Sequence, residues 1–360
     1  MLVYLSVMIL CCILLYAMRN DSNNKKPLAI VFGIIWLMLA LQEGWGGDYE
    51  GYVYHFNEIK PLSFKDVLVD DSHGEVGYKI LLWIMPNFHT WFVLTIGIWC
   101  FALAFFFYHF VPQKWWFLAI LFVFFDRAIL MGMVASFSRM AIANTFLFFA
   151  FYLVSKEKNK WLSALLIFGG SFFHRSVLLM APFIFLSPKQ IKQSSGTLIG
   201  IFVGLTLFSG LTPSTWTNFV ETIISSSDAF SEYEFYLEDK QQTGFRGLSL
   251  LILFYWIYLL AHYVKNNKYE GYEYLMMKLA LVRIAFDLLP AIGLSTRFFY
   301  YIDIYFFAGM MCICNRLPKE DTNKWGIAIT LLMMFWYMGY HQYAASVFYK
   351  LHWATYNLIF

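Results

Sequence analysis

Residues 89–110 read HTWFVLTIGIWCFALAFFFYHF, an unbroken run without Lys, Arg, Asp or Glu. A helix of that length is about 33 Å long, enough to cross a hydrocarbon layer of roughly 30 Å. No water is available there to satisfy backbone groups, so the run must be helical throughout. Comparable apolar stretches lie on either side of it. Candidate spans fall near 1–18, 27–44, 89–110, 115–133, 138–154, 161–174, 175–187, 197–211, 246–264, 272–292, 297–315 and 324–345. The sequence therefore predicts an all-α, polytopic integral membrane protein of about twelve transmembrane helices, forming a single domain over residues 1–360. The segments 161–174 and 175–187 are short and read as two half-spans, a hairpin or one bent helix. Met1–Met18 has no basic residue ahead of its apolar run and no evident small-residue cleavage site, so it reads as a retained helix rather than a signal peptide.

The composition agrees. Of 360 residues, 60% are hydrophobic and 14% charged, against about 25% charged in a soluble domain. A net charge of +3 without a basic tract gives no reason to expect a nucleic-acid partner. Cys11, Cys12, Cys100, Cys312 and Cys314 all sit in apolar runs and read as small buried hydrophobes.

Orientation follows from the connectors. Arg19/Lys25/Lys26, Lys114, Lys156/Lys158/Lys160, Lys189/Lys192, Lys265/Lys268 and Arg316/Lys319/Lys324 occupy alternate connectors. The positive-inside rule makes these cytoplasmic and places both termini outside. The opposite connectors include two long stretches. Residues 45–88 hold Asp48, Asp70, Asp71 and Glu75 and end in an apolar run too short to span, which reads as re-entrant or interfacial. Residues 212–245 read as an outer loop. Asp70 and Asp71 read as solvated loop charges.

Ionisable groups inside spanning segments are costly and usually mark function or a buried pair. Asp126, Arg127, Arg139, His174, Arg175, Arg283, Asp287, Arg297 and Asp303 all fall in the outer halves of their segments, with Lys278 nearer the cytoplasmic end. Arg283 and Asp287, spaced i, i+4, either neutralise each other or serve a site. Arg127 either snorkels or joins that site. Arg139 and Arg297 each open a returning helix, where a guanidinium beside the positive helix end asks for an anion. The arginine fork matches phosphate oxygens, so Arg139, Arg297, Arg127, Arg175 and Arg283 are candidate pyrophosphate ligands. His174 is the leading candidate for a proton acceptor. Asp48 and Glu75 offer carboxylates for a base role or for sugar hydroxyls. Tyr49, Tyr78 and Tyr300 are candidate glycan contacts, with interfacial belting as the default reading of any one ring.

These residues form an ordered set: Gly47-Asp48-Tyr49 with Tyr52, Glu75-x-Gly77-Tyr78, Ser138-Arg139-x-Ala141-Ile142-Ala143, Phe173-His174-Arg175-Ser176 and Thr296-Arg297-x-x-Tyr300. The set resembles the EpsG family, which is similar to the Wzy-type polysaccharide polymerases of O-antigen and exopolysaccharide synthesis. The likeness runs from about residue 40 to about residue 305. Two positions depart from the pattern: Gln42/Glu43 stand where the family usually has an Arg, and Met140 where it usually has Gln. The resemblance implies a fold similar to the GT-C glycosyltransferases and a metal-independent, cofactor-free enzyme of the bacterial inner membrane, with its site facing the periplasm or exterior. It implies transfer of a growing glycan from undecaprenyl pyrophosphate to the non-reducing end of an incoming lipid-linked oligosaccharide, with inversion. A chain-length regulator and a flippase are the implied protein partners. Besides a membrane-bound acyltransferase, which would favour a cytoplasmic donor site, two alternatives stay open. One is a GT-C transferase using a polyprenyl-phosphate sugar; the other is a non-enzymatic flippase of lipid-linked oligosaccharides, which the one-sided charges disfavour.

Overall fold

The computed structural model describes residues 2–19, 25–41, 48–72, 74–125, 129, 138–189, 197, 200, 201, 203, 204, 222, 269–287 and 293–316. Every regular element among them is helical, and no strand occurs there. Described residues up to Phe185 form one unit, and those between Leu186 and Glu320 a second.

The first unit starts with α1 (Leu2–Ala17) and α2 (Lys26–Ala40). Three short helices follow where the sequence predicts an outer stretch: α3 (Tyr49–Ile59), α4 (Phe64–Val69) and α5 (Val76–Ile84). They begin and end for local reasons. Ser63 Oγ accepts the Asp66 N–H at 3.3 Å and starts α4, the usual N-cap arrangement. Lys60 Nζ donates to the Trp83 carbonyl at 2.9 Å and to that of Met85, closing the end of α5 with a cation where the helix dipole is negative. Asn87 Oδ1, just after Pro86, accepts the Thr90 N–H at 2.8 Å and starts α6 (Phe88–Phe110).

A 3₁₀ turn at Gln113–Trp115 leads into α7 (Trp116–Phe125). Next come α8 (Ser138–Ser155), α9 (Lys160–Ser171) and a 3₁₀ helix over Arg175–Phe185. Helix α1 packs on α2 and α7, α2 on α6, and α6 on α8. The core between α6 and α8 is aromatic: Trp99 stacks on Phe148 at 5.6 Å, and Phe106 meets the same ring at 4.8 Å. Helix α9 and the 3₁₀ helix pack on each other and on α8. The first is about 18 Å long and the second about 22 Å, so the short pair is a hairpin whose arms each fall short of a bilayer's thickness.

The connectors sort onto two ends of this unit as alternation requires. Lys25 Nζ donates to Gln113 Oε1 at 2.5 Å, and His109 lies 4.3 Å from the Tyr152 ring near the close of α8. These contacts gather the lysine-bearing connectors. The acidic stretch, the start of α8 and the turn at 174–175 meet at the other end, described below.

Among the described residues, Phe88–Phe110 and Ser138–Ser155 are long and apolar enough to cross a membrane, and Leu5–Ala17, Lys26–Ala40, Gln113–Phe124 and Arg175–Phe185 are shorter apolar helices. The second unit holds α10 (Gly271–Asp287) and α11 (Gly293–Arg316), packed together. Arg316 holds the buried Glu273 through both carboxylate oxygens, at 3.2 and 2.9 Å. Helix α11 starts four residues before the predicted 297, so Arg297 sits one turn inside it rather than at its opening. The predicted spans 246–264 and 324–345 lie outside the described residues, as do two thirds of 197–211 and all of the loop 212–245 but Thr222.

Candidate active site

The site is built on the turn that carries Glu75, Gly77 and Tyr78. Gly74 has a φ of +118°, and a Cβ there would stand 2.8 Å from Tyr78 Cδ1; only glycine meets both conditions. Beyond it Glu75 occupies the N-cap position of α5 without capping its own helix. Its carboxylate reaches outward instead. Oε2 accepts from Arg139 Nη1 at 2.8 Å, and Oε1 accepts the main-chain N–H of Arg175 at 3.0 Å. The two side chains are 15% and 11% exposed, so this charge-assisted pair is largely shielded from water. Arg175 opens the 3₁₀ helix, which brings the positive end of that helix onto the same carboxylate. Gly77 then donates its N–H to the Phe172 carbonyl at 2.9 Å, fixing α5 against the end of α9.

Aromatic rings wall the ion pair. The Arg139 guanidinium carbon lies 5.3 Å from the centroid of the fully buried Tyr78 ring, within cation–π range. Tyr52 of α3 and Trp91 of α6 complete the wall, with centroids 5.9 and 6.0 Å from Tyr78 and 5.3 Å from each other. The Tyr52 hydroxyl also engages Arg139. Burial pushes the Tyr52 pKa up; Arg139 opposes this and Asp48 adds to it. Burial pushes Tyr78 up likewise. Both phenols therefore stay protonated and keep a proton to donate. The Tyr78 hydroxyl, Trp91 Nε1 and Thr95 Oγ1 are buried and have no hydrogen-bond partner among the described residues.

His174 sits in the turn between α9 and the 3₁₀ helix, 7% exposed, with Nδ1 2.7 Å from Ser176 Oγ. It is the chain neighbour of the N–H that grips Glu75. Asp48 is exposed ahead of α3, and its carbonyl accepts the Tyr52 N–H at 2.9 Å, one helical turn from the wall. Tyr49 packs edge-on against Phe88 and Phe92, at 5.3 and 5.5 Å. The Arg175 side chain is exposed; its main chain, not its guanidinium, meets Glu75. Four of the five sequence motifs thus converge in the first unit.

The fifth belongs to the second unit. There Arg283 Nε pairs with Asp303 Oδ1 across α10 and α11, an alternative to the Asp287 partner considered from spacing. Arg297 lies on α11, with its side chain outside the described residues, and Tyr300 is half-buried. Arg127 lies outside the described residues.

One expectation is overturned. Asp70 is not a solvated loop charge: its Oδ2 lies 2.8 Å from Nζ of Lys79, which also donates to the Asp70 carbonyl at 2.8 Å. Lys79 is buried within α5. A lysine in the apolar run Val76–Ile84 needs a counter-ion, and that requirement is the signal in the sequence that points to a nearby acid. Burial alone would raise the Asp70 pKa, but hydrogen bonds from Lys79 and Ser72, with the Lys79 charge, carry it below the ordinary 3.8.

Long apolar helices enclosing a shielded, ion-paired arginine define a helical membrane protein with a charged internal site. The chain belongs to the EpsG family, whose model matches residues 25–358. Comparisons with curated proteins and with solved structures returned no match. Membership supports a polymerase-like role in polysaccharide biosynthesis.

Proposed function

We propose that this protein polymerises lipid-linked oligosaccharide units at the outer leaflet of the bacterial cytoplasmic membrane, within a GT-C-like helical arrangement. The growing glycan leaves undecaprenyl pyrophosphate and passes to a non-reducing-end hydroxyl of the incoming unit. The bond from the anomeric carbon to the pyrophosphate oxygen breaks as the bond to the acceptor oxygen forms on the opposite face, giving inversion. The acceptor proton passes to His174 or Asp48, and undecaprenyl pyrophosphate leaves with the bonding pair. Arg139, assisted by Arg175, stabilises the charge that develops on the leaving group, the usual main source of such catalysis; Arg127, Arg283 and Arg297 stay candidates for the same role on the strength of the sequence. Tyr49, Tyr78, Tyr300 and Glu75 are the proposed glycan contacts. A flippase delivers the unit and a chain-length regulator sets product size.

The observation that carries this reading is the meeting of Arg139 and the Arg175 N–H on one carboxylate, in a site walled by protonated phenols. Two donors already aimed at a single anion suit a phosphate oxygen pair. The test is incubation of the purified protein with an undecaprenyl-pyrophosphate repeat unit. Polymer and released undecaprenyl pyrophosphate are expected in equal turnover. Intact substrate after prolonged incubation with folded protein would refute the reading.

A further inference from the structure

The Glu75 carboxylate occupies the place where the arginine and the helix-opening N–H converge, and it uses one oxygen on each. A phosphate group presents the same pair of acceptors. We infer that Glu75 is an internal substitute for the substrate's phosphate, which weakens every anion's binding there enough to keep out the singly charged headgroups of bulk anionic lipid while diphosphates still bind. The inference rests on the reading that Arg139 grips pyrophosphate.

First, the contact is not an incidental surface pair: the turn is fixed by Gly74, whose φ is positive, and by the Gly77 N–H on Phe172. Both carboxylate oxygens are engaged, at 2.8 and 3.0 Å. Second, Glu75 and Arg139 come from segments 64 residues apart, so nothing local forces them together. Third, an unfilled guanidinium facing a membrane would attract any phosphodiester, and lipids supply these in great excess. Binding here is an exchange. An incoming anion must offer Arg139 and the Arg175 N–H more than the carboxylate already gives, and self-occupancy lowers the apparent affinity of every ligand by the same factor. A phosphodiester with one negative charge gains little over a carboxylate. A diphosphate brings more charge and further oxygens, and the Tyr78 hydroxyl, protonated and without a partner among the described residues, is a further donor on the same wall.

The test uses the full-length protein in nanodiscs and two diphosphate probes, inorganic pyrophosphate and undecaprenyl pyrophosphate, with phosphatidylglycerol as competitor. In wild type both diphosphates bind, and phosphatidylglycerol leaves their affinity unchanged. Glu75→Gln keeps the size and loses the charge; it is expected to bind pyrophosphate about tenfold more tightly, equivalent to about 1.4 kcal/mol. In that variant phosphatidylglycerol becomes a competitor. Unchanged or weaker pyrophosphate binding by Glu75→Gln, or equal competition in both proteins, would overturn the inference. Glu75→Asp, too short to span both donors, provides the same comparison should Glu75→Gln not fold. Tighter binding is expected there, and unchanged binding counts against the proposal. Tighter diphosphate binding by Glu75→Gln without polymer from wild type would spare this inference and sink the polymerase reading. Polymer from wild type with no change of affinity in Glu75→Gln would do the reverse.

Discussion

The Gly77 N–H donates to the Phe172 carbonyl at 2.9 Å, and a Cβ at position 77 would stand 2.7 Å from that same oxygen. The contact is main chain to main chain, so no side-chain rotation relieves it. Gly77→Ala is expected to push α5 away from the end of α9, at a cost of about 1–3 kcal/mol typical of overpacking. Thermal unfolding in detergent reads the loss directly. An unchanged melting temperature would mean that the two segments are not held together as described.

Asp70→Asn removes the counter-ion of Lys79, whose side chain is 3% exposed. Breaking a buried pair costs about 3–5 kcal/mol; with Asp70 19% exposed, about 3 kcal/mol is expected. Folded Asp70 binds its proton less readily than the ordinary carboxylate, whose pKa is 3.8. Its stabilising contribution is therefore complete above the ordinary value and is lost as pH falls through the lower folded value. The difference in unfolding temperature between wild type and Asp70→Asn should be constant near neutral pH and shrink below about pH 4. A difference that grows on acidification would contradict the pairing.

Tyr78 separates ring from hydroxyl. A buried hydroxyl without a partner costs about 1–3 kcal/mol, so Tyr78→Phe should leave the melting temperature unchanged or raise it. Tyr78→Leu also removes the face beneath Arg139 and should lower it, by about 0.5–2 kcal/mol for the cation–π contact alone. A loss on Tyr78→Phe equal to that on Tyr78→Leu would show that the hydroxyl has a partner.

His174→Ala is expected to slow polymer formation by about 10²–10⁴-fold if the imidazole takes the acceptor proton. Ser176→Ala should shift the pH profile of the rate while leaving substrate affinity intact, since Ser176 Oγ contacts Nδ1 at 2.7 Å. Near wild-type turnover by His174→Ala transfers the base role to Asp48, and Asp48→Asn then shows the loss.

Much of the helical layout was legible because apolar run length is a one-dimensional property. Residues 89–110 and 138–154 needed no tertiary information, and the structure places helices at Phe88–Phe110 and Ser138–Ser155. The 3₁₀ winding of Arg175–Phe185 was not legible, since the same apolar residues suit either helix. Arg139 stood out because a charge inside an apolar run needs a reason. Its pairing with Glu75 did not. Glu75 is 64 residues away, in a stretch where a carboxylate has a comfortable default in water, and the same default concealed Asp70. Tyr52 stood in the first motif, but its place beside Arg139 required the fold. Spacing offered Asp287 to Arg283 because i, i+4 pairing is the only pairing visible along one helix. Asp303 required knowing that α10 and α11 lie together.

The carboxylate of Glu75 also carries a schedule. Its first partner is made 64 residues later and its second 100 residues later. At about 5–20 residues per second, the second donor follows Glu75 out of the ribosome by roughly 5–20 s. During that interval an ionised glutamate cannot enter lipid without heavy cost. The turn must wait on the aqueous side while α6 and α8 are inserted, and the constellation closes only after the hairpin of α9 arrives. The last contact of this constellation to form is thus the one at which the proposed chemistry would begin.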